Sequence, residues 1–243
     1  GHDVSLLDIE GFKYSNQEVL DRIKANNPDD ICLGTIITGF NYVQWLCSEI
    51  KKMMPAVPVI LGNSIVTTIP QIAMNNLNAD YLVIGEGEIT INELLKSIEN
   101  HDDISKVKGI CYKNGNENIL TEPRELIQDI DTIPIPAWSL FPLKEIYHKS
   151  RSFNLPLPVG LISTIRGCPY ICTFCYHPFQ YKKVRMHSPE RVVEEIKILK
   201  RDYNVRSIAF VDDLFVINKK RVFQICDLMD KEGIRIKWRA SCR

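Results

Sequence analysis

Three cysteines lie close together in the stretch RGCPYICTFCYHP at residues 166–178, where Cys168, Cys172 and Cys175 are spaced C-x-x-x-C-x-x-C. A disulfide would use two of these thiols and leave the third over. Structural zinc normally takes four ligands, and His177 could complete a Cys3His set, although it stands only two residues after Cys175. A [4Fe–4S] cluster usually takes four thiolates, so three would leave one iron open, as a reaction centre requires. The spacing by itself leaves these three kinds of site open.

The composition is ordinary for a globular protein of one or two domains, with 243 residues, 45% hydrophobic and 25% charged. Lysine plus arginine equals aspartate plus glutamate, 30 against 30, which argues against a broad nucleic-acid or anionic-membrane footprint. No apolar run reaches the roughly 18 to 20 residues of a membrane span. We therefore expect a cytoplasmic protein whose other cysteines are mostly buried thiols. These are Cys32, Cys47, Cys111, Cys226 and Cys242.

Residues 1–100 alternate predicted strands with predicted helices. The strands are HDVSLLDI, DICLGTIITG, VPVILGN and DYLVIGEGE, and the helices are QEVLDRIKANNPD, NYVQWLCSEIKKMM, IPQIAMNNLNA and ITINELLKSIEN. This order predicts a doubly wound parallel α/β sheet, whose ligands bind outside the carboxyl ends of the strands. Glycine and small polar residues follow three of those ends and indicate a ligand crevice. They are Thr35, Thr38, Gly62, Asn63, Ser64, Gly85, Glu86 and Gly87.

Residues 101–159 are predicted to be a connector between two domains. KGICYKNGNENILTEP reads as a hairpin with Asn114-Gly115 in the turn, and DIDTIPIPAWSLFP is extended and punctuated by proline. Within that second segment, Trp138 and Phe141 are interpreted as packing anchors.

From residue 160 the alternation restarts with the strands LISTIRG, SIAFVDDLF and IRIKWRASCR around the helices SPERVVEEIKILKRDY and KKRVFQICDLMDKEG. Ser188 is the expected N-cap of the first helix, and Gly233 closes the second. Two and a half strand–helix units are too few to close a barrel. We therefore expect residues 160–243 to be the first portion of a (β/α) barrel and the chain to be a fragment.

The cysteine loop resembles the signature of the radical SAM superfamily, C-x-x-x-C-x-aromatic-C after the first strand of a partial (β/α) barrel, with Phe174 as the aromatic residue. The resemblance implies that Cys168, Cys172 and Cys175 ligate a [4Fe–4S] cluster whose open iron is chelated by S-adenosylmethionine. It implies reductive cleavage of S-adenosylmethionine to a 5′-deoxyadenosyl radical that abstracts hydrogen from a substrate. It further implies an electron donor such as flavodoxin or ferredoxin.

The resemblance also assigns the end of the second strand, FVDD, to contact with the methionyl amino group of S-adenosylmethionine. Asp212 and Asp213 match this motif by place, although not in the Gly-Gly-Glu form seen elsewhere. The alternative is that one of the two aspartates caps the following loop or helix. Arg239, on the third strand, could reach a carboxylate of cofactor or substrate, or form a salt bridge within the barrel.

Residues 1–100 resemble the cobalamin-binding, flavodoxin-like domain found ahead of many radical SAM domains. GTIITG stands at the place of its Ser/Thr loop, LGN at the place of its Gly-Gly pair, and IGEGE at a recurrent fourth-strand ending. Asn63 replaces the second glycine and would narrow the room for the nucleotide tail. The cobalt-ligating D-x-H-x-x-G motif is absent from the sequence.

Both resemblances together imply methyl transfer from methylcobalamin to an unactivated carbon of a small-molecule or natural-product substrate. Oxidative ring formation or rearrangement is an alternative within the same family. Methylthiotransfer to tRNA would need further cluster cysteines, but Cys32 falls in a predicted strand and Cys47 in a predicted helix. A non-catalytic module that binds cobalamin or a cluster is the alternative outside enzymes.

Overall fold

The structure is a computed structural model that describes residues 2–34, 36–143, 154–175 and 183–242. The described chain divides into two units. The first runs from residue 15 to residue 127, and the second contains residues 2–14 and the described residues from 128 onward. Each unit combines helices with a sheet that contains parallel strands, so the predicted α/β class is confirmed.

A five-stranded sheet forms the centre of the first unit, in the order β1-β2-β3-β4-β5. Its strands are β1 (Ile31–Gly34), β2 (Val59–Gly62), β3 (Tyr81–Val83), β4 (Ile110–Asn114) and β5 (Glu117–Leu120). The first three strands run parallel, and the last two are antiparallel to their neighbours. Val59, Ile60 and Leu61 are all buried, as expected for a strand inside a parallel sheet.

Four of the described α-helices up to residue 99 overlap the predicted helices, whereas those at residues 9–12 and 64–68 lie where no helix was predicted. In chain order the helices are α1 (Ile9–Phe12), which belongs to the second unit, α2 (Asn16–Asn26), α3 (Phe40–Met53), α4 (Ser64–Thr68), α5 (Pro70–Asn76) and α6 (Gly87–Glu99). Helix α2 begins at a capping box in which Ser15 and Glu18 satisfy each other's backbone N–H groups. Helix α3 buries Val43, Leu46, Cys47 and Ile50, a set with the spacing of one helical face.

The prediction of a strand at HDVSLLDI, residues 2–9, is wrong. Residues 2–8 form no regular element, and the side chain of Asp8 caps α1 by accepting a hydrogen bond from the N–H of Gly11 at 2.8 Å. A strand is stable only when a neighbour pairs with its backbone groups. In the described part of the chain no strand pairs with these residues.

The predicted hairpin is confirmed, with its turn one residue later than expected. Asn114 pairs with Glu117, so Gly115 and Asn116 are the central residues. Gly115 has φ 60°, whereas Asn116 keeps a negative φ, which is the pattern of a type II′ turn. The two strands of the hairpin extend the first sheet.

The second unit contains a parallel sheet in the order β10-β9-β6 and a separate two-stranded ladder, β7-β8. The strands are β6 (Val159–Ile162), β7 (Ile165–Arg166), β8 (Arg185–Met186), β9 (Ser207–Phe210) and β10 (Lys237–Arg239), and the helices are α7 (Pro189–Tyr203) and α8 (Lys219–Lys231). Ser188 caps α7 as predicted, and Gly233 follows α8 with φ 66°.

Two features of the second unit refine the predictions. LISTIRG forms two strands, β6 and β7, because the chain turns at Ser163 and Thr164, where Asp212 binds it (described below). Trp138 packs against the core of this unit, and its indole N–H donates to the buried Glu195 at 3.2 Å, so it is an anchor as expected. Phe141 stacks at a tilt on Trp138, with ring centroids 5.6 Å apart.

Candidate functional site

The carboxyl ends of β1 and β2 are adjacent and leave open space. Gly34 and Gly62 pair in register. A methyl group built at Gly62 would meet no atom within 4 Å, and one at Gly34 would meet only the side-chain amide nitrogen of Asn63, at 3.9 Å. The edge therefore has room for a ligand that lies against backbone. Thr38 lies exposed in the 3-10 turn Ile37–Gly39 that follows, and Thr35 lies outside the described residues.

Asn63 adopts a backbone conformation that is nearly exclusive to glycine, with φ 80° and ψ −171°. Such a conformation costs a non-glycine residue about 1–3 kcal/mol. Its side chain offsets part of this by accepting a hydrogen bond from the N–H of Ser64 at 2.6 Å. The replacement noted in the sequence thus stands where the backbone itself favours glycine.

The loop after β3 is hydrogen-bonded to α4, the helix that follows β2. Gly85, with φ 78°, donates its N–H to the hydroxyl of Thr67 at 3.0 Å. Glu86 precedes α6 and its carboxylate accepts from the N–H of Ile127 at 3.1 Å, so this side chain has a structural role. Gly87 lies close to β3, because a methyl group there would stand 3.4 Å from the side chain of Val83. The structure therefore brings the predicted loops together at one edge.

The cysteine loop of the second unit is closed at its base by β7 and β8. Ile165 pairs with Met186 and Arg166 with Arg185, so the loop between them leaves and returns at one place. Cys168 and Cys172 are half-buried, Cys175 is exposed, and none of the three is in a disulfide. The N–H of Cys175 donates to the carbonyl of Cys172 at 3.0 Å, which gives this part of the loop a turn.

The donor set fits an iron–sulfur cluster by its chemistry. Three accessible thiols in one loop are the soft ligands that such clusters take. Among the described residues, no three His, Cys, Asp or Glu side chains are grouped closely enough to hold a metal ion, and this includes the three cysteines of the loop. His177, the fourth ligand of the zinc alternative, lies outside the described residues. Phe174 is 91% exposed and contributes nothing to the core.

Asp212 binds the backbone where the chain enters the loop. It is 3% exposed, and one carboxylate oxygen accepts from the N–H groups of Thr164, at 2.5 Å, and Ile165, at 2.9 Å. The other oxygen accepts from the hydroxyl of Thr164 at 2.6 Å. Both oxygens are therefore engaged in the protein. Asp213 is exposed and has no hydrogen-bond or ion-pair partner among the described residues, so it is the carboxylate of this pair that a ligand can reach.

Arg221 of α8 binds both ends of the loop, a role that the sequence analysis missed. Its Nε donates to the carbonyl of His187, just after β8, at 2.8 Å, and its Nη2 donates to the carbonyl of Thr164, just before β7, at 3.4 Å. Arg221 is 5% exposed, and its burial lowers the pKa of the guanidinium group. The negative charges of Asp212 and Asp131 act in the opposite direction and raise that pKa, but the effect of burial is larger. One signal was available, because Arg221 shares the helical face of the buried Ile225 and Met229.

His187 completes this network, which we call the loop neck: residues 164–166 and 185–187 with their partners Asp131, Asp212 and Arg221. Its N–H donates to the carbonyl of Thr164 at 2.9 Å, and its Nδ1 lies 2.8 Å from the carboxylate of Asp131. Burial lowers the pKa of His187, although Asp131 acts in the opposite direction. These contacts give His187 a structural role in the second unit.

Arg239 lies exposed on β10, an edge strand of the three-stranded sheet in the described chain. It is thus at the carboxyl end of its strand, as Asp213 is just beyond the end of β9.

Comparison with known families matches a part of each unit. Residues 1–95 match the B12 binding domain family, and residues 162–242 match the Radical SAM superfamily. None of the described helices combines the length and apolar character that a membrane crossing needs.

Two curated relatives align with the whole chain. An uncharacterized methyltransferase of Pyrococcus horikoshii is 35% identical over 245 residues, which cover 100% of this chain and 52% of the relative. An anaerobic magnesium-protoporphyrin IX monomethyl ester cyclase of Synechocystis is 29% identical over 254 residues, covering 100% of this chain and 48% of the relative. The chain thus spans about half the length of these relatives.

Two solved structures share the fold. The radical S-adenosylmethionine methyltransferase TsrM from Kitasatospora setae superposes with a TM-score of 0.74 at 17% identity, over 97% of this chain and 46% of that protein. The cobalamin-dependent S-adenosylmethionine radical enzyme OxsB superposes with a TM-score of 0.75 at 22% identity, over 96% of this chain and 33% of that protein. At these identities the likeness concerns the fold.

Proposed function

We propose that the chain holds the cofactors of a cobalamin-dependent radical SAM enzyme, because it belongs to the radical SAM proteins that carry a B12-binding domain. The observation that carries the proposal is the cysteine loop, with its three thiols outside any disulfide on a loop closed at its base by a ladder. When bound, the cluster with S-adenosylmethionine supplies a radical that abstracts hydrogen, and methylcobalamin supplies a methyl group.

The residues of the second unit have separate tasks in this proposal. Cys168, Cys172 and Cys175 hold the cluster, and the loop neck holds the two ends of their loop. Asp213 offers an exposed carboxylate beyond the end of β9, suited to the ammonium group of S-adenosylmethionine. Asp212 is engaged with the chain at Thr164 and Ile165 and positions the loop instead.

The first unit would bind cobalamin at the carboxyl edge of its parallel strands. Gly62 and Gly34 present backbone to open space there, which suits a ligand with a long nucleotide tail. The side-chain amide of Asn63 borders this space, since its nitrogen lies 3.9 Å from the position that a methyl group on Gly34 would take. Because ligands of such sheets bind outside the carboxyl ends of the strands, this is the expected place.

The reaction that best fits the family is methyl transfer to an unactivated carbon of a small-molecule or natural-product substrate. The Pyrococcus horikoshii relative is described as a methyltransferase, which favours this reading. The Synechocystis relative is described as a cyclase, and an oxidative cyclisation is therefore the second candidate. A cytoplasmic location and a flavodoxin or ferredoxin as electron donor complete the proposal.

The first test is spectroscopic. The chain is purified without oxygen, supplied with iron, sulfide and hydroxocobalamin, desalted, and its absorbance recorded beside a Cys172→Ala variant. We expect the wild type to retain both cluster and cobalamin absorbance and the variant to retain cobalamin alone. The matched control is Cys226→Ala, on α8 and outside the loop, which should retain both the cluster absorbance and the cobalamin absorbance. Retention of the cluster without cobalamin would overturn the methylcobalamin chemistry, and loss of neither signal in Cys172→Ala would overturn the assigned cluster ligands.

The reaction itself is tested by reduction. Loaded protein given S-adenosylmethionine and dithionite should release 5′-deoxyadenosine, measured by liquid chromatography. Absence of this product from protein that retains its cluster would contradict the radical chemistry. Transfer of label from methyl-labelled S-adenosylmethionine to a product then separates methyl transfer from cyclisation.

A further inference from the structure

Thr67 connects two of the three loops at the carboxyl edge of the first sheet. Its hydroxyl donates to the carbonyl of Asn63, in the loop after β2, at 3.1 Å. The same hydroxyl accepts the N–H of Gly85, in the loop after β3, at 3.0 Å. One side-chain oxygen of α4 therefore contacts both Asn63 and Gly85, which lies 18 residues beyond Thr67 in the sequence.

Both loops have backbones that need such a connection. Asn63 and Gly85 have φ values of 80° and 78°, in the region that favours glycine. Fixing Gly85 costs more conformational entropy than fixing another residue, and Asn63 holds a conformation that is strained for a non-glycine residue, so both positions depend on contacts that hold them. Close by, Gly62 leaves open space for a ligand, so displacement of either loop changes the shape of that space.

We propose that Thr67 is a positioning residue for cobalamin, whose hydroxyl fixes the distance between the loops after β2 and β3. The inference rests on the proposed binding of cobalamin by this unit. Thr67 need not contact the ligand, because its effect passes through Asn63 and Gly85. A pre-set edge loses less conformational entropy on binding, and affinity is correspondingly higher.

Thr68 provides the matched control. It is the next residue on α4, and its hydroxyl donates to the carbonyl of Ser64, one turn back on the same helix, at 2.8 Å. Thr67→Val and Thr68→Val remove the same group from neighbouring positions, and of the two only Thr67→Val removes the acceptor of the Gly85 N–H. Thr67→Ser keeps the hydroxyl and loses only a methyl group.

The experiment titrates each variant with hydroxocobalamin and follows the change in its visible spectrum to obtain Kd. Removing one hydroxyl that makes two hydrogen bonds should weaken binding about tenfold in Thr67→Val. Thr67→Ser and Thr68→Val should stay within about threefold of the wild type. Hydrogen exchange at the Gly85 amide, measured without ligand, should accelerate in Thr67→Val and be restored in Thr67→Ser.

The outcomes separate the inference from the proposal beneath it. Wild-type protein that binds no cobalamin overturns both. Wild-type protein that binds, with Thr67→Val binding equally well, overturns the positioning role alone. If Thr67→Val is too unstable to titrate, Thr67→Ser and Thr67→Ala decide the matter, since the positioning role requires the serine variant to bind as the wild type does and the alanine variant to bind more weakly.

Discussion

The two adjacent aspartates after β9 should differ sharply in what they contribute to stability. Asp212 is buried and accepts hydrogen bonds from two N–H groups and from the hydroxyls of Ser163 and Thr164, whereas Asp213 is exposed. In Asp212→Ala the three donors of Thr164 and Ile165 lose their acceptor inside the protein. Each buried donor left unsatisfied costs about 1–3 kcal/mol, so simple addition gives a loss of roughly 3–9 kcal/mol, the lower end applying if water enters.

A milder substitution keeps the test within a measurable range. Asp212→Asn retains one oxygen that accepts from the N–H groups, and its NH2 can donate to the hydroxyl oxygen of Thr164. Because neutral hydrogen bonds are roughly half as strong as charge-assisted ones, we expect a loss of about 1–2 kcal/mol. Asp213→Ala should change stability by less than about 0.5 kcal/mol, as exposed sites usually do.

The assay is urea unfolding followed by tryptophan fluorescence in a Trp45→Phe background. Trp45 lies on α3 in the first unit, and the remaining tryptophans, Trp138 and Trp238, both belong to the second. The signal therefore reports the unit that contains the neck, which matters because two units need not unfold together. The reasoning is refuted if Asp212→Ala loses less than about 1 kcal/mol, or no more than Asp213→Ala.

Three further predictions concern other parts of the chain. Gly160→Ala should destabilise by about 1–3 kcal/mol in urea unfolding, because its methyl group would meet side chains at 3.0 Å, whereas Gly62→Ala faces open space and should not. The pKa of His187 in the folded protein lies below its unfolded value of 6.5, so between these two pKa values the unfolded chain binds more protons than the folded one. The free energy of unfolding should therefore decrease as the pH falls from above 6.5 to below the folded pKa. His187→Asn, which keeps a donor for Asp131, should show a smaller fall, and an equal one would contradict this origin. Burial raises the pKa of Cys47 to about 12, so iodoacetamide should label the native protein at exposed thiols before Cys47, as peptide mass spectrometry can show.

Local pattern was sufficient to predict most elements of the fold. Helix α7 begins after Ser188 with Pro189 in its first turn, and both signals act within a few residues. The error at residues 2–9 has the opposite origin, since a strand depends on a partner that lies elsewhere in the chain. LISTIRG also reads as one strand locally, but a carboxylate 48 residues away from Thr164 divides it.

The same distinction separates the parts of the candidate site. Cysteine spacing and the glycines after the strands are visible in a short window of sequence, so the ligand-bearing loops could be predicted. The neck could not, because Asp131, Thr164, His187, Asp212 and Arg221 meet only after β6, β9, α7 and α8 have packed. Sequence reasoning accordingly left open which aspartate of FVDD serves the protein and which a ligand.

Burial favours Asp212 as the aspartate that serves the protein. A carboxylate that is removed from water must be compensated by donors that are themselves fixed. The start of the cysteine loop gives Asp212 the N–H groups of Thr164 and Ile165 and the hydroxyls of Ser163 and Thr164. If Asp212 turned instead toward the ammonium of a bound ligand, Thr164 and Ile165 would lose those acceptors, and the loop would loosen at the moment when it should hold the cluster. An arrangement in which Asp212 stays with the loop and Asp213 meets the ligand avoids this conflict. Asp213→Asn should therefore weaken S-adenosylmethionine binding while leaving cluster absorbance intact, and Asp212→Asn should reduce the cluster retained; the reverse pattern would assign the two carboxylates the other way round.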